Sequence, residues 1–157
     1  MAAPYTVDQI ADALIHLSRE RGIEITNLKL QKLIYYAQAW HLVFQDAPLF
    51  DADIEAWVHG PVVPSVFRRF KGYRWNPITE SGVPPVDDSL ARYLGEVLHV
   101  YGKLSANQLE NLSHREDPWQ NARRGYAADE SSSVVISQES IKTYYRKIGE
   151  TVNERVK

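Results

Sequence analysis

The one run that reads as a helix with two apolar faces extends from Asn27 to Phe44, NLKLQKLIYYAQAWHLVF. At about 100° per residue, Leu30, Leu33, Ile34, Ala37, Trp40 and Phe44 fall on one arc, and Leu28, Tyr35, Ala39 and Leu42 fall roughly opposite. Gln31 and Gln38 form a polar strip on one side between these arcs, and Lys29 and Lys32 form one on the other. A surface helix needs one apolar stripe, so two stripes predict a central helix with other elements packed on both sides. The rest of the chain is expected to wrap around it.

The flanking patterns supply the wrapping. Thr6 and Gln9 form a capping box ahead of Ile10, Ala13, Leu14 and Leu17, and Gly22 ends that helix. Ile54, Ala56 and Val58 alternate with Glu55, Trp57 and His59 as in a half-buried strand, which Gly60 and Pro61 are expected to stop. Pro64 suits the first turn of a helix with Val66, Phe67 and Phe70 on its apolar side, and Gly72 to Pro85 reads as loop. Asp88 to Tyr101 is a helix with Leu90, Tyr93, Leu94, Val97 and Tyr101 on one arc, and Ser105 and Gln108 cap the next, which carries Leu109 and Leu112. Asp117, read as an N-cap, and Pro118 begin a short helix that Gly125 closes. Val134 to Ile136 reads as a second strand pairing with Ile54 to Val58. The last helix, Gln138 to Val156, turns Ile141, Tyr144, Tyr145, Ile148 and Val152 inward. The expected fold is mainly α: a single compact helical domain over residues 1–157, built around the central helix at 27–44, with a minimal two-stranded β element.

Composition narrows the function classes. With 157 residues, 44% hydrophobic and 24% charged, the chain has the balance of one soluble domain. Zero cysteines exclude disulfides, thiolate nucleophiles and Cys-based metal sites, and fit a reducing cytoplasm. No apolar run approaches the roughly 18 residues of a membrane span, and Met1 to Tyr5 lacks the features of a signal peptide. A net charge of −2 and pI of about 6.2 give no global attraction to nucleic acid, so any such binding needs a local patch.

Candidate chemistry is sparse. His16, His41, His59, His99 and His114 are scattered, with no pair at zincin spacing, so neither metal nor cofactor is expected. His41 lies inside the main apolar arc and reads as a hydrogen-bonded core histidine, whereas His59, after a strand and beside Gly60, is better placed for function but lacks an identifiable partner. His114-Arg115-Glu116-Asp117 reads as a helix end and an N-cap, and Asp51, Asp53 and Glu55 as solvated surface. Phosphate-binding loop, dinucleotide fingerprint and nucleophile elbow are all missing, and no enzyme is expected.

One region departs from average composition. FRRFKGYRW, Phe67 to Trp75, interleaves four aromatics with four cations. Arg and aromatic side chains dominate interface hot spots, so Arg68, Arg69, Tyr73, Arg74 and Trp75 are read as outward contacts to a protein partner. The same mixture can stack on single-stranded nucleic acid, which makes a nucleic-acid-binding regulator the alternative. The plainest reading leaves Phe67 and Phe70 in the core and the cations answering a helix C-terminal dipole.

Three blocks, LKLQKLIYYAQAW, PLFDADIEAWVHGPVVPSVF and LSHREDPWQNAR, resemble the hallmarks of the Panacea antitoxin domain, the SocA-like family also described as phage-associated GepA-like proteins. The resemblance spans about Ile10 to Arg124 and extends into Ile141 to Tyr145. It implies a mostly helical cytoplasmic antitoxin, encoded beside a toxin that it neutralises by direct binding, and in one described member an adaptor that delivers the toxin to a protease. Many members carry a further DNA-binding segment; here the domain is expected to fill the chain. The family blocks include Lys32, Tyr35, Trp57, Gly60, Pro61, His114, Pro118 and Trp119, which the resemblance marks as scaffold rather than catalytic positions.

Overall fold

The computed structural model describes residues 3–156, with side chains described for residues 3–150. Helix α1 (Val7–Glu20) opens with the Thr6–Gln9 capping box, each side chain accepting from the other residue's backbone N–H. Helix α2 (Asn27–Gln45) is capped by Thr26, whose hydroxyl accepts from Lys29 N, and is ended by Asp46 in the left-handed region at φ 54. Strands β1 (Glu55–Trp57) and β2 (Gly60–Val62) precede α3 (Pro64–Arg69) and a 3₁₀ turn, Lys71–Tyr73. Helices α4 (Asp88–Tyr101), α5 (Ala106–His114), α6 (Asp117–Ala122) and α7 (Gln138–Val156) complete the order. The fold is mainly helical with a small antiparallel sheet. Among the described residues no helix is long and apolar enough to cross a membrane.

The central position of α2 is observed: α1, α3, α4, α5, α7 and β2 all pack on it. Its polar strips, however, do not face solvent. Every residue from Lys29 to Ala39 is buried, including Gln31, Lys32 and Gln38. Buried polar groups need partners, and these side chains find them on the backbone of surrounding segments. Asn27 Nδ2 donates to Phe67 O at 3.0 Å, Lys29 Nζ to Gly102 O at 2.7 Å, and Gln31 Oε1 accepts from Val63 N at 2.9 Å. Gln38 makes two such bonds, donating to Phe50 O at 3.0 Å and accepting from Leu49 N at 2.7 Å.

The C-terminal end of the predicted arc is corrected as well. Trp40 is only half-buried, its indole N–H donating to the Tyr101 hydroxyl at 2.7 Å, and Phe44 is 63% exposed. The last turns of α2 run out of the packed layer, which periodicity within the helix cannot reveal. Ile148 of α7 lies at the margin of the surface, and the Val152 side chain lies outside the described residues.

The sheet is a hairpin. Glu55 pairs with Val62, Ala56 with Pro61 and Trp57 with Gly60, so Gly60 and Pro61 form a strand instead of stopping one. Gly60 takes φ +111, a conformation open to glycine but strained for other residues. The expected pairing to 134–136 is also present, but as an isolated bridge at Val135 with Ala56 N donating to Val134 O at 2.9 Å and Ile136 N to Ile54 O at 2.8 Å.

Helix α7 docks on α2 through a polar centre. The Tyr36 and Tyr145 hydroxyls donate to Glu116 Oε1 at 2.6 and 2.8 Å, Tyr36 stacks on Tyr101, and Tyr145 meets Tyr35 edge-on. Burial pushes the Glu116 carboxyl above its usual range, and the two tyrosine hydrogen bonds oppose that shift. Glu116, rather than Asp117, is the N-cap residue of α6, and its side chain serves this centre instead of capping.

Leu33→Ala, deep in α2, is expected to lower stability by about 2–5 kcal/mol. Phe44→Ala should stay within about 0.5 kcal/mol. Chemical denaturation of the two variants checks the placement of the core, and equal losses would show it to be wrong.

Candidate functional site

Two surfaces collect the residues singled out in the sequence. The first is the segment leaving α3. Pro64 supplies the N-terminal turn of this short helix, and Val66 and Phe70 anchor it in the core. Phe67 is half-buried edge-on against Trp57. Arg69 is not free, as its place beside Arg68 suggested: its guanidinium bridges to α1, 2.6 Å from Asp12 and 3.3 Å from Asp8, and lies over the Phe70 ring. Tyr73 is half-buried, its hydroxyl 3.1 Å from Glu80 Oε2. Arg74 then takes φ 54, a strained value for a non-glycine residue, and the next side chain, Trp75, is 76% exposed. Among the described residues Arg68, Lys71 and Arg74 form no ion pair, so the segment that carries the exposed indole also carries three cations without a carboxylate partner.

The second surface surrounds the turn of the β1–β2 hairpin. Most of the family-block positions meet here, although they come from four separate segments. Trp119 donates to Trp57 O at 2.8 Å and stacks on His114, with ring centroids 4.0 Å apart, while Pro118 is buried beneath. Arg123, which sequence reasoning missed, is buried: it lies over the Trp119 ring and donates to Ala56 O at 3.0 Å and to the carbonyls of Ala127 and Glu130. These bonds tie α6 and the following loop to the hairpin. Tyr35 is the exception among the block positions, belonging to the tyrosine centre under α7.

Lys32 reaches this surface from α2. Its side chain is 0% exposed, and its one hydrogen-bond acceptor is the Pro61 carbonyl at 3.4 Å. A Cβ at position 60 would come within 2.5 Å of Lys32 Cε, so Gly60 is required both for its backbone angle and for the passage of this side chain. Burial pushes the Lys32 ammonium down to about 7, opposed by the charge of Glu110. His59 has a partner after all: its Nδ1 contacts Glu110 Oε1. His114 Nε2 is buried with no hydrogen-bond partner, and burial lowers this imidazole's affinity for a proton. His41, far from this turn in sequence, is half-buried with Nδ1 2.7 Å from Ala47 O, a backbone tether at the margin of the core. Among the described residues no three His, Asp or Glu side chains are grouped so as to hold a metal ion.

A sequence model of the family described as "Antitoxin SocA-like, Panacea domain" matches residues 30–120, which include α2, the hairpin, α3, α4, α5 and the start of α6. The chain belongs to this antitoxin family. It is 31% identical over 159 residues to the protein named Antitoxin SocA from Caulobacter vibrioides (strain NA1000 / CB15N), covering 91% of this chain and 85% of that protein. No solved structure matches. The match takes in both surfaces, so membership alone does not choose between them.

Lys32 generates a pH prediction for this antitoxin domain. Its folded value, near 7, lies below the 10.5 of an unperturbed lysine. The folded state therefore favours the neutral amine, and the stability this gives is complete above about 10.5 and lost as pH falls through about 7. Wild-type stability should rise between about pH 7 and 9, below the range where the buried tyrosines titrate in the unfolded chain. In Lys32→Met the rise should be reduced, and denaturant unfolding across that interval measures the difference.

Proposed function

We propose that this chain is an antitoxin that neutralises a cognate toxin, encoded nearby, by direct protein–protein binding in the cytoplasm, acting as one domain over residues 1–157. Membership in the SocA-like family supports the class, and the relative of known name is itself called an antitoxin. A hydrophobic cluster drawn from α1 through α7 supports the reading as one domain. Delivery of the bound toxin to a protease would be a further step of the same binding.

The observation that carries the binding site is the indole of Trp75, 76% exposed on a segment whose backbone is held in a strained turn beside unpaired Arg68 and Arg74. A large aromatic left in water, in a segment rich in arginine, is the composition of an interface anchor. Arg68, Arg74 and Trp75 supply direct contacts, while Arg69 and Tyr73 set the segment's shape through their bonds to Asp8, Asp12 and Glu80. The nucleic-acid reading is the weaker one. A stacking platform needs successive free rings, and Phe67, Phe70 and Tyr73 are turned into the protein, leaving Trp75 alone.

Trp75→Ala or Arg74→Ala should reduce toxin affinity by about 2–4 kcal/mol, roughly 30- to 1000-fold, with the unfolding midpoint unchanged. Calorimetric titration against the toxin and against RNA at about 50 and 200 mM salt distinguishes the readings, since RNA binding that depends on several phosphates would collapse at the higher salt. Arg69→Ala removes two ion pairs within the chain, so its binding must be compared with its stability. Unchanged toxin affinity in both Trp75→Ala and Arg74→Ala would remove this segment from the interface.

A further inference from the structure

The hairpin surface contains a feature that the scaffold compensates only in part, through the charge of Glu110. Lys32 is wholly buried, yet among the described residues it forms no ion pair and has one carbonyl, at 3.4 Å, as acceptor. An ammonium has three N–H donors and is strongly hydrated, so burial with one long hydrogen bond disfavours the charged form unless a closer counter-charge is supplied. A methionine would fill the same space without that penalty. The neighbouring polar residues of α2 are each bonded to backbone at 2.7–3.0 Å, which sets Lys32 apart from them.

Lys32 is also part of the wall of a surface pocket of about 270 Å³ that opens between the hairpin turn and the first turn of α5. His59 and Glu110 stand at its mouth, with side chains 64% and 22% exposed. Glu110 contacts His59, and its charge also acts on Lys32. Through Leu28 and His59 the pocket joins an apolar groove of about 340 Å³ lined by Trp57, Val58, Val62 and Phe67. Phe67, one wall of the groove, directly precedes Arg68 in the chain.

We propose that this pocket receives an aspartate or glutamate side chain of the toxin, with Lys32 as its counter-charge and the adjoining groove holding a neighbouring apolar side chain. The inference rests on the toxin-binding reading and names the chemistry of one contact within it. A partner's carboxylate entering this water-poor site favours the protonated Lys32 and forms a strong, charge-assisted hydrogen bond with it. Stability given up in the free antitoxin is recovered in the complex.

The test uses the full chain, the toxin encoded beside it, and three measurements. In Lys32→Met, toxin affinity should fall at least about 30-fold, while the denaturation midpoint near pH 7 stays equal to or above wild type. Among Asp→Asn and Glu→Gln variants of the toxin, one should weaken binding to the wild type by a similar factor and have no further effect on Lys32→Met, the signature of a direct pair. In the wild type itself, the NMR titration of the Lys32 Cε resonance should move to higher pH when toxin binds, a readout that does not depend on any variant folding. Wild-type affinity in Lys32→Met, no coupled toxin carboxylate, or an unmoved Lys32 titration would each overturn the proposal. So would parallel destabilisation, or failure to fold, of Lys32→Met and Glu110→Gln, which would make Lys32 a structural partner of Glu110. If wild-type protein does not bind the toxin at all, it is the antitoxin reading that fails.

Discussion

Everything in this fold depends on burying a helix that is not wholly apolar. Helix α2 is surrounded on all sides, and its amide and amine side chains had to be satisfied where water could not reach. Four of them are bonded at 2.7–3.0 Å to backbone groups of other segments: Asn27 to Phe67, Lys29 to Gly102, Gln31 to Val63, Gln38 to Leu49 and Phe50. Apolar contact alone is non-directional and tolerates sliding. These bonds are directional, and a buried partner left unbonded costs about 1–3 kcal/mol, so they fix where each loop and helix terminus meets α2. The central helix acts as a template whose polar positions are addresses for the rest of the chain.

A second set of polar bonds closes the structure from the other side. Glu116 gathers the hydroxyls of Tyr36 and Tyr145 and so joins α2, the start of α6 and α7. Arg123 does the equivalent for the hairpin and the segment at 127–130. Both are charged residues taken from solvent, and both are held by several partners, the condition under which burial of charge is tolerated. The hairpin itself is short, and an isolated pair of this length would not persist in water. It persists because α2, α5 and α6 hold it on several sides.

The parts of the fold governed by local rules were legible in the sequence. Capping boxes at Thr6 and Ser105, the helix over Asp88–Tyr101 and the final helix follow from side chain to backbone chemistry within four residues. What escaped was decided by contacts distant in the chain. Lys29 and Lys32 read only as a polar strip between two apolar arcs, and their burial is decided by Gly102 and Pro61, whose carbonyls accept from them. A signal was nonetheless present: the segment from Asn27 to Phe44 contains no acidic residue, unusual for a helix face bathed in water. Gly60 and Pro61 read as a stop because proline and glycine punctuate strands on average, but an edge hairpin accepts both. Of the candidate site, the exposure of Trp75 was legible from its loop composition, whereas the bonds of Arg69 to α1 were not, since Asp8 and Asp12 lie about sixty residues away.

The convergence of Lys32, Trp57, Gly60, Pro61, His114, Pro118 and Trp119 on one hairpin shows why a sequence block by itself cannot separate folding from binding. Most of these residues have complete structural explanations: Trp119 bonds and stacks, Pro118 fills the core, Gly60 takes a conformation and a clearance that a side chain would deny. A folding role predicts satisfied groups, because the folded chain alone must offset the loss of water. A binding role predicts the opposite in the free protein, a group held in place but short of partners. By that criterion Trp119, Pro118 and Gly60 carry the marks of scaffold. Two positions of the same blocks do not meet it in full among the described residues: Lys32, buried with one long bond, and His114, whose buried Nε2 has no partner.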